Sequence, residues 1–133
     1  MKWWSREGRE NVAWGAAIVA LLLLGPATAA LAADPAAGQK IFKTQCGICH
    51  AVAPGQNRIG PTLFGVVGRR SGSVAGFNYT ADHKKLDVTW DAATLDKYLA
   101  NPRAMVPDTS MIYAGLKDDA ERADLVAYLA TLH

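Results

Sequence analysis

Residues 46–50 read Cys46-Gly47-Ile48-Cys49-His50. Two cysteines with this spacing can each form a thioether with one of the two vinyl groups of a haem, and the histidine that follows can bind the iron through its imidazole. The chain contains no other cysteine. The pentapeptide therefore predicts one covalently bound heme c, with Cys46 and Cys49 as attachment points and His50 as an axial ligand.

Three other uses of this cysteine spacing fit the chain less well. A thiol–disulfide redox motif is typical of a βαβ context, and no strand pattern precedes the motif. A structural zinc site needs four ligands, whereas the remaining histidines, His83 and His133, lie far apart in the sequence. A disulfide between the two cysteines would close a very small ring and would stabilise the fold little.

The N-terminal segment has the pattern of an export signal. A basic start is followed by an apolar run from Val12 to Leu24 and then by small residues. Ala30-Leu31-Ala32 matches the small-x-small requirement of signal peptidase, so we predict cleavage near residue 32 or 33. The chain then divides into a signal peptide, residues 1–33, and an exported domain, residues 34–133.

An uncleaved membrane anchor is the alternative for the same segment. The apolar character continues from Val12 to Ala33, a length that can span a bilayer. The Gly25-Pro26 pair and the alanine-rich second half favour cleavage. Either outcome exports the domain that follows. We therefore expect a periplasmic protein that is bound to the membrane only if the segment is retained.

The exported domain is small and nearly neutral. Of 14 basic and 12 acidic residues in the chain, three basic and two acidic ones precede residue 34. The remaining length, about 100 residues, is typical of one domain. Nucleic-acid binding needs a clustered basic face, so the charge balance argues against a nucleic-acid partner.

Helical signals dominate this domain. Asp34-Pro35 joins a capping side chain to a proline at the first helical position, which predicts a helix that runs into the haem motif. Residues 53–76 are rich in glycine and proline and are expected to form loops. A short helical turn is expected at residues 81–85. Residues 91–100 have one apolar face and are expected to form a helix. This helix should end at Asn101, because Pro102 restricts the residue before it.

The last helix has the clearest pattern. Acidic side chains from Asp118 onward crowd its start, where the helix dipole favours negative charge. An apolar stripe follows, formed by Leu125, Tyr128, Leu129 and Leu132. Gly38 in the first helix leaves room for an aromatic such as Tyr128 to cross closely. Since no segment alternates with strand period, we predict an all-α fold of a few helices and loops around one covalently bound haem.

From about Gly38 to the C-terminus the chain resembles the class I c-type cytochromes, and most closely the subfamily of mitochondrial cytochrome c and its bacterial periplasmic relatives. The resemblance covers nearly the whole exported domain, with its segments in one order. The matching segments are Cys46–His50, Gly60–Gly65, Gly68-Arg69, Tyr79-Thr80, Trp90, Thr94–Pro102, Met111–Gly115 and Asp124–Leu129. The resemblance implies the small cytochrome c fold.

The iron needs a second axial ligand, and the residues alone leave three candidates: His83, Met105 and Met111. Methionine usually fills gaps in a core, and a lone histidine is more often a surface residue than a ligand. Met111 follows the helix of residues 91–100 in a proline-marked loop that could fold over the haem. The resemblance implies that Met111 is the distal ligand and that Met105 stands where an aromatic is common.

The resemblance also implies roles around the cofactor. The carbonyl of Pro61 would accept the free N–H of His50 and so fix its ring. Tyr98 would hydrogen-bond the methionine sulfur, and Tyr113 would cover the haem edge. Four residues would hydrogen-bond or neutralise the buried haem propionates, which are costly to bury without partners. These four are Arg69, Tyr79, Trp90 and Thr109. The alternative role is packing in the core for Tyr79, Trp90 and Tyr98, and capping of a turn for Thr109.

This set of residues predicts an electron carrier. Thioether sulfur stabilises ferrous iron, so His/Met ligation raises the reduction potential. With both axial positions filled, no coordination site is open to a substrate, and we expect no enzymatic activity. The expected partners are membrane redox complexes or soluble redox proteins of a respiratory or photosynthetic chain, and the expected state is a monomer.

Two other functions stay open at this point. A labile Met111 would expose iron and could give peroxidase turnover. Alternatively, the chain could be an assembly subunit of a respiratory complex, anchored through its N-terminal segment.

Some positions depart from the family pattern. Phe77 stands where many relatives have tyrosine, and His83 replaces an amide side chain that commonly joins a buried water network. Ala104 and Ser110 stand where relatives often carry lysine. The remaining candidates for a basic docking ring are Lys40, Arg58, Arg103 and Lys117. We therefore expect weaker docking on an acidic partner, with a shallow salt dependence.

Overall fold

The computed structural model describes residues 32–133. Within this range the chain forms five α-helices and one π-helical segment joined by loops. The elements are α1 (Pro35–Ile41), the π-helical segment (Phe42–Cys46), α2 (Ala81–Lys85), α3 (Ala92–Ala100), α4 (Pro102–Met105) and α5 (Asp119–Leu129). The described residues form no strand, and their one β-type pairing is a bridge between Arg70 and Thr89. The predicted all-α class is confirmed.

The predicted export segment, residues 1–33, lies almost wholly outside the described residues. Of the helices formed by residues 32–133, none is long and apolar enough to cross a membrane. The assignment of residues 1–33 therefore stays a prediction.

The first helix begins where the sequence predicts. The Asp34 side chain accepts a hydrogen bond from the backbone N–H of Ala36 at 2.8 Å, and Pro35 occupies the first turn. The continuation differs from the expected α-helix, because the chain widens into a π-helical turn. Gly47 N–H donates to the carbonyl of Phe42 at 2.8 Å, five residues back. The Thr44 hydroxyl donates to nearby carbonyls of the preceding turn, which favours this local change.

Helix α1 packs closely against α5, as the absence of a side chain at Gly38 predicts. A Cβ on Gly38 would overlap the carbonyl of Asp124 and would lie 2.8 Å from Cβ of Tyr128. The Tyr128 ring also packs on Phe42, with ring centroids 5.5 Å apart. The contact ties the N- and C-terminal helices together and positions the haem motif that follows α1.

Both longer helices have carboxylate caps. Asp91 accepts from Thr94 N–H at 2.7 Å at the start of α3, and Asp118 accepts from Glu121 N–H at 2.9 Å at the start of α5. Helix α3 ends at Ala100, so its predicted limits are confirmed. The loop expected directly after it is instead a further short helix, α4, because Pro102 can start a helix as well as stop one.

A buried arginine joins the C-terminal half of the domain. Arg122 is 7% exposed and forms ion pairs with Asp96 on α3, at 2.6 Å, and with Asp119 on α5, at 2.7 Å. Its guanidinium also donates to the carbonyl of Leu116 at 2.9 Å. These contacts fix the end of the loop that carries Met111 against the helices.

Candidate functional site

One cavity of about 350 Å³ lies inside the domain, within the size range of small-molecule and cofactor sites. All the site residues predicted from the sequence line it. They are Cys46, Cys49, His50, Pro61, Arg69, Tyr79, Trp90, Tyr98, Thr109, Met111 and Tyr113. These residues come from segments spread over most of the domain, and the fold brings them to one place.

His50 is held in one orientation by the segment that follows it. Its Nδ1 lies 2.8 Å from the carbonyl oxygen of Pro61. Because a carbonyl can only accept, Nδ1 carries the proton and Nε2 keeps its lone pair. Burial lowers the pKa of His50, so the imidazole is neutral, which is the form that binds a metal.

Gly60 makes the close approach to this imidazole possible. A Cβ at Gly60 would lie 2.6 Å from Nδ1 and 2.8 Å from Nε2 of His50, closer than real Cβ atoms come. The backbone N–H of Gly60 donates to the carbonyl of Cys49 at 2.9 Å. The Gly60-Pro61 pair is therefore more than a turn, since Gly60 packs against the ring and the Pro61 carbonyl accepts a hydrogen bond from it.

Cys46 and Cys49 are free thiols at the end of the π-helical segment and in the turn after it. Burial, with a smaller contribution from Cys49, raises the pKa of Cys46 to about 11. Before a haem is attached, the thiol therefore stays protonated at neutral pH. Both side chains line the cavity, as attachment to a haem requires.

The polar residues expected near propionates occupy another part of the cavity wall. Arg69 donates to the carbonyls of Phe64, at 2.8 Å, and Thr62, at 2.9 Å. The Tyr79 hydroxyl accepts from Val74 N–H at 3.3 Å. Arg69 therefore fastens the loop after His50 while its positive charge remains beside the cavity.

Trp90 and Tyr98 form the aromatic part of the wall. Both are buried, and their ring centroids lie 4.9 Å apart. Burial raises the pKa of Tyr98, with the nearby Thr109 side chain acting in the opposite direction. The hydroxyl of Tyr98 is thus neutral at physiological pH and available as a donor.

The loop that carries Met111 is held by hydrogen bonds on either side of that residue. Thr109 is buried, and its hydroxyl accepts from Met111 N–H at 3.2 Å. Beyond Met111, the Tyr113 hydroxyl donates to Oε1 of Gln45 at 2.7 Å, which links the loop to the haem motif segment. The Met111 side chain lines the cavity and is half-buried.

The three candidates for the second axial ligand occupy different places. Met105 is not among the residues that line the cavity and packs instead against the core. Met111 and His83 both line the cavity. The His83 ring packs on Tyr79, with ring centroids 4.8 Å apart, within a group of aromatic side chains.

Thr80 is a cavity residue that the sequence analysis did not assign to the site. Among the described residues, its hydroxyl is the one buried side-chain nitrogen or oxygen without a hydrogen bond of good geometry, although the Asp108 carboxylate lies nearby. Such an atom is costly unless something pairs with it. The sequence signal that could have found Thr80 is its place next to Tyr79, in a segment that resembles the family.

The cavity fits a haem in chemistry as well as in location. Its apolar walls suit a porphyrin, and they include Leu63, Val66, Leu95, Leu99, Leu125 and Leu129. Two thiols and a neutral imidazole are available for attachment and ligation. The buried Thr80 hydroxyl and the Arg69 cation suit carboxylates.

Comparison with known proteins gives a consistent result. The family model described as Cytochrome c matches residues 35–133. Cytochrome c2 of Rhodomicrobium vannielii is 49% identical to this chain over 118 residues, which cover 88% of the chain and 94% of that protein. Cytochrome c2 of Rhodoplanes tepidamans is 48% identical over 73% of the chain and 91% of its own length. Cytochrome c of Cannabis sativa is 48% identical over 72% of the chain and 87% of its own length.

Proposed function

The chain belongs to the cytochrome c family and is a single-haem electron carrier, and on that premise we propose that His50 and Met111 are the axial ligands of its covalently bound heme c. The observation that supports this assignment best is the hydrogen bond from His50 Nδ1 to Pro61, which leaves Nε2 free to bind iron. When bound, the haem supplies a one-electron ferric/ferrous couple.

The residues of the chain tune that couple. The carbonyl of Pro61 fixes the His50 ring and raises its basicity by accepting a hydrogen bond from Nδ1–H. The Met111 thioether stabilises the ferrous state and so raises the reduction potential. Tyr98, neutral and buried, donates to the methionine sulfur. Two filled axial positions leave no site for a substrate, so the chain acts as a carrier and has no turnover of its own.

The remaining site residues hold the cofactor's carboxylates and edge. Arg69, Tyr79, Trp90 and Thr109 hydrogen-bond or neutralise the propionates. The buried hydroxyl of Thr80 joins this group, because it forms no hydrogen bond of good geometry within the protein and a propionate oxygen would accept one. Tyr113 covers the edge of the haem while its hydroxyl is held by Gln45.

Residues 1–33 act as a cleaved signal peptide, and the mature carrier is a periplasmic monomer. The basic start, the apolar run and the Ala30-Leu31-Ala32 site support this proposal. Sequencing the N-terminus of the purified holoprotein tests it. A new N-terminus near Asp34 is expected, whereas an intact Met1 would establish the anchored alternative.

Electron exchange with partner redox proteins takes place at an apolar surface beside the cavity. Ile112 is 98% exposed and Ile59 is 76% exposed, and both line the cavity. Of the nearby basic side chains, Arg58 donates to the carbonyl of Gly47 at 2.9 Å and Lys117 to that of Ala100 at 2.5 Å, which fixes their positions without removing their charge. Because Ala104 and Ser110 stand where relatives often carry lysine, docking depends on apolar burial more than on a ring of lysines.

A redox titration of the purified mature protein tests the proposal. One reversible electron per chain is expected, and the pigment should stay with the protein in acidified acetone because thioethers hold it. Extraction of the pigment would refute covalent attachment. Steady peroxide turnover in the native state would show that a coordination site is open and would refute the two-ligand assignment.

A further inference from the structure

His83 is a histidine inside the cofactor cavity that the electron-carrier function does not use. It lies on α2, is half-buried and lines the cavity. Its ring packs on Tyr79 at 4.8 Å between centroids, and lies 6.1 Å from the ring of Trp90 and 6.3 Å from that of Tyr98. Three aromatic rings from two other parts of the chain thus hold the imidazole against the cavity.

One carboxylate faces this imidazole from outside α2. Asp108, in the loop after α4, accepts from the backbone N–H of Asp82 at 3.1 Å. Burial lowers the pKa of His83, while the negative charge of Asp108 raises it. Burial is the larger effect, so the net shift is downward and the imidazole takes up its proton below the ordinary range for histidine.

The other titratable groups around His83 are two tyrosines, one arginine and the charged side chains of α2 itself. Burial raises the pKa values of Tyr79 and Tyr98, so both phenols stay neutral. Arg69 lines the same cavity and stays positive. On α2 itself, Lys85 lies 3.7 Å from Asp82, and Lys84 is exposed. His83 is therefore the protein group beside the cofactor whose charge is free to respond.

We propose that His83 couples proton binding to electron transfer, so that the reduction potential of the carrier falls as the pH rises through its titration. This inference rests on the proposed haem function. When a donor supplies one electron to the bound haem, His83 would take up one proton from a buffer acid in the solvent, whose bond to that proton breaks as the imidazole N–H bond forms. On oxidation the electron would pass to the acceptor and the proton would return to the buffer.

The direction follows from electrostatics. An added electron makes the cavity more negative, which favours the protonated imidazole. The pKa of His83 is then higher in the reduced protein than in the oxidised protein. Between these two values the potential falls with pH, and outside them it is flat.

Potentiometry across the acid-to-neutral pH range tests the proposal with three variants of the holoprotein. In the wild type the reduction potential should fall as the pH rises. His83→Asn should be flat in that range, since the amide does not titrate. His133→Asn, which removes the exposed C-terminal histidine, should behave like the wild type. Asp108→Asn should move the fall to lower pH, because the carboxylate that favours imidazolium is gone.

Nuclear magnetic resonance of the wild type gives a second readout that needs no variant. The His83 ring signals should titrate with a higher pKa in the ferrous than in the ferric protein. Equal values in the two states would overturn the proposal, and so would a fall in potential that survives in His83→Asn, because a haem propionate would then be its source. If the purified protein carried no covalently bound haem with a reversible one-electron couple, the proposed function itself would be refuted.

Discussion

The segment that holds His50 and the loop that holds Met111 meet at one cavity but are built differently. Around His50 the backbone is held closely: the ring donates to Pro61 and Gly60 N–H donates to Cys49. Around Met111 the hydrogen bonds lie on either side of the residue and not on its side chain, and the neighbours Ser110 and Ile112 are exposed. We therefore expect the first region to keep the cofactor in place and the second to open more readily.

This difference follows from what each side has to do. Attachment and proximal ligation are permanent, so packing and hydrogen bonds can fix them. The distal loop is anchored at its ends, by Thr109 and by the hydrogen bond from Leu116 N–H to Leu99 at 2.8 Å, with Tyr113 as a bridge between them. Segments with few buried contacts open at lower free energy than the core. We therefore expect the sulfur ligand to be released before the imidazole.

The largest effect should come from removing the covalent attachment on the His50 side. In Cys46→Ala/Cys49→Ala no thioether can form, so acidified acetone should extract all of any pigment that is bound. Cys46→Ala alone keeps one thioether and serves as the control, with pigment still attached. Pigment that resists extraction in the double variant would contradict the attachment points.

The second-largest effect should come from adding a single methyl group at Gly60. Gly60→Ala places a Cβ against the His50 ring, and we expect a loss of about 2–3 kcal/mol in the free energy of unfolding, measured with denaturant. Gly47→Ala is the matched control in the same segment, because its Cβ would meet neighbours at an ordinary 3.5 Å. Equal stability of the two variants would show that the His50 side is not closely packed.

The bridge on the Met111 side should matter less for stability and more for opening. Tyr113→Phe removes one hydrogen bond to Gln45, worth about 1 kcal/mol. Binding of imidazole to the ferric protein reports loop opening and should tighten about fivefold, since that is the same free energy expressed as an equilibrium constant. A double-mutant cycle with Gln45→Ala isolates the pair. Additive effects would mean that the bridge does not restrain the loop.

The smallest effect should come from a surface cation. Arg103 is exposed and donates to the carbonyl of Pro107 at 3.3 Å. Arg103→Ala should change the electron-transfer rate with a redox partner by less than about twofold, because exposed ion pairs contribute little. Ile112→Ser should slow the same reaction more. If Arg103→Ala slowed the reaction more than Ile112→Ser, or if the rate depended steeply on salt, docking would depend mainly on charge.

Local patterns predict the helices well because each has a local cause. Asp34-Pro35, Asp91 and Asp118 cap their helices as expected, and Gly38 marks the helix crossing. The prediction of one continuous α-helix into the haem motif was wrong, because its last turn is π-helical, and helix α4 was missed. Proline and threonine can either stop a helix or reshape it, and the packing around them decides which.

For the site, the sequence supplies the residues and the fold supplies their arrangement. The haem motif specifies its own chemistry, whereas residues from Pro61 to Tyr113 share one cavity only after the loops have closed. No local pattern could reveal that the Thr80 hydroxyl is left without a hydrogen bond of good geometry or that aromatic rings surround His83. Both depend on contacts between segments distant in the chain.

The absorption spectrum of the oxidised mature protein tests the ligand assignment most directly. The account predicts a sulfur–iron charge-transfer band in the wild type and in His83→Asn, and its loss in Met111→Ala. A wild-type spectrum without the band, or a band that persists in Met111→Ala, would contradict ligation by His50 and Met111.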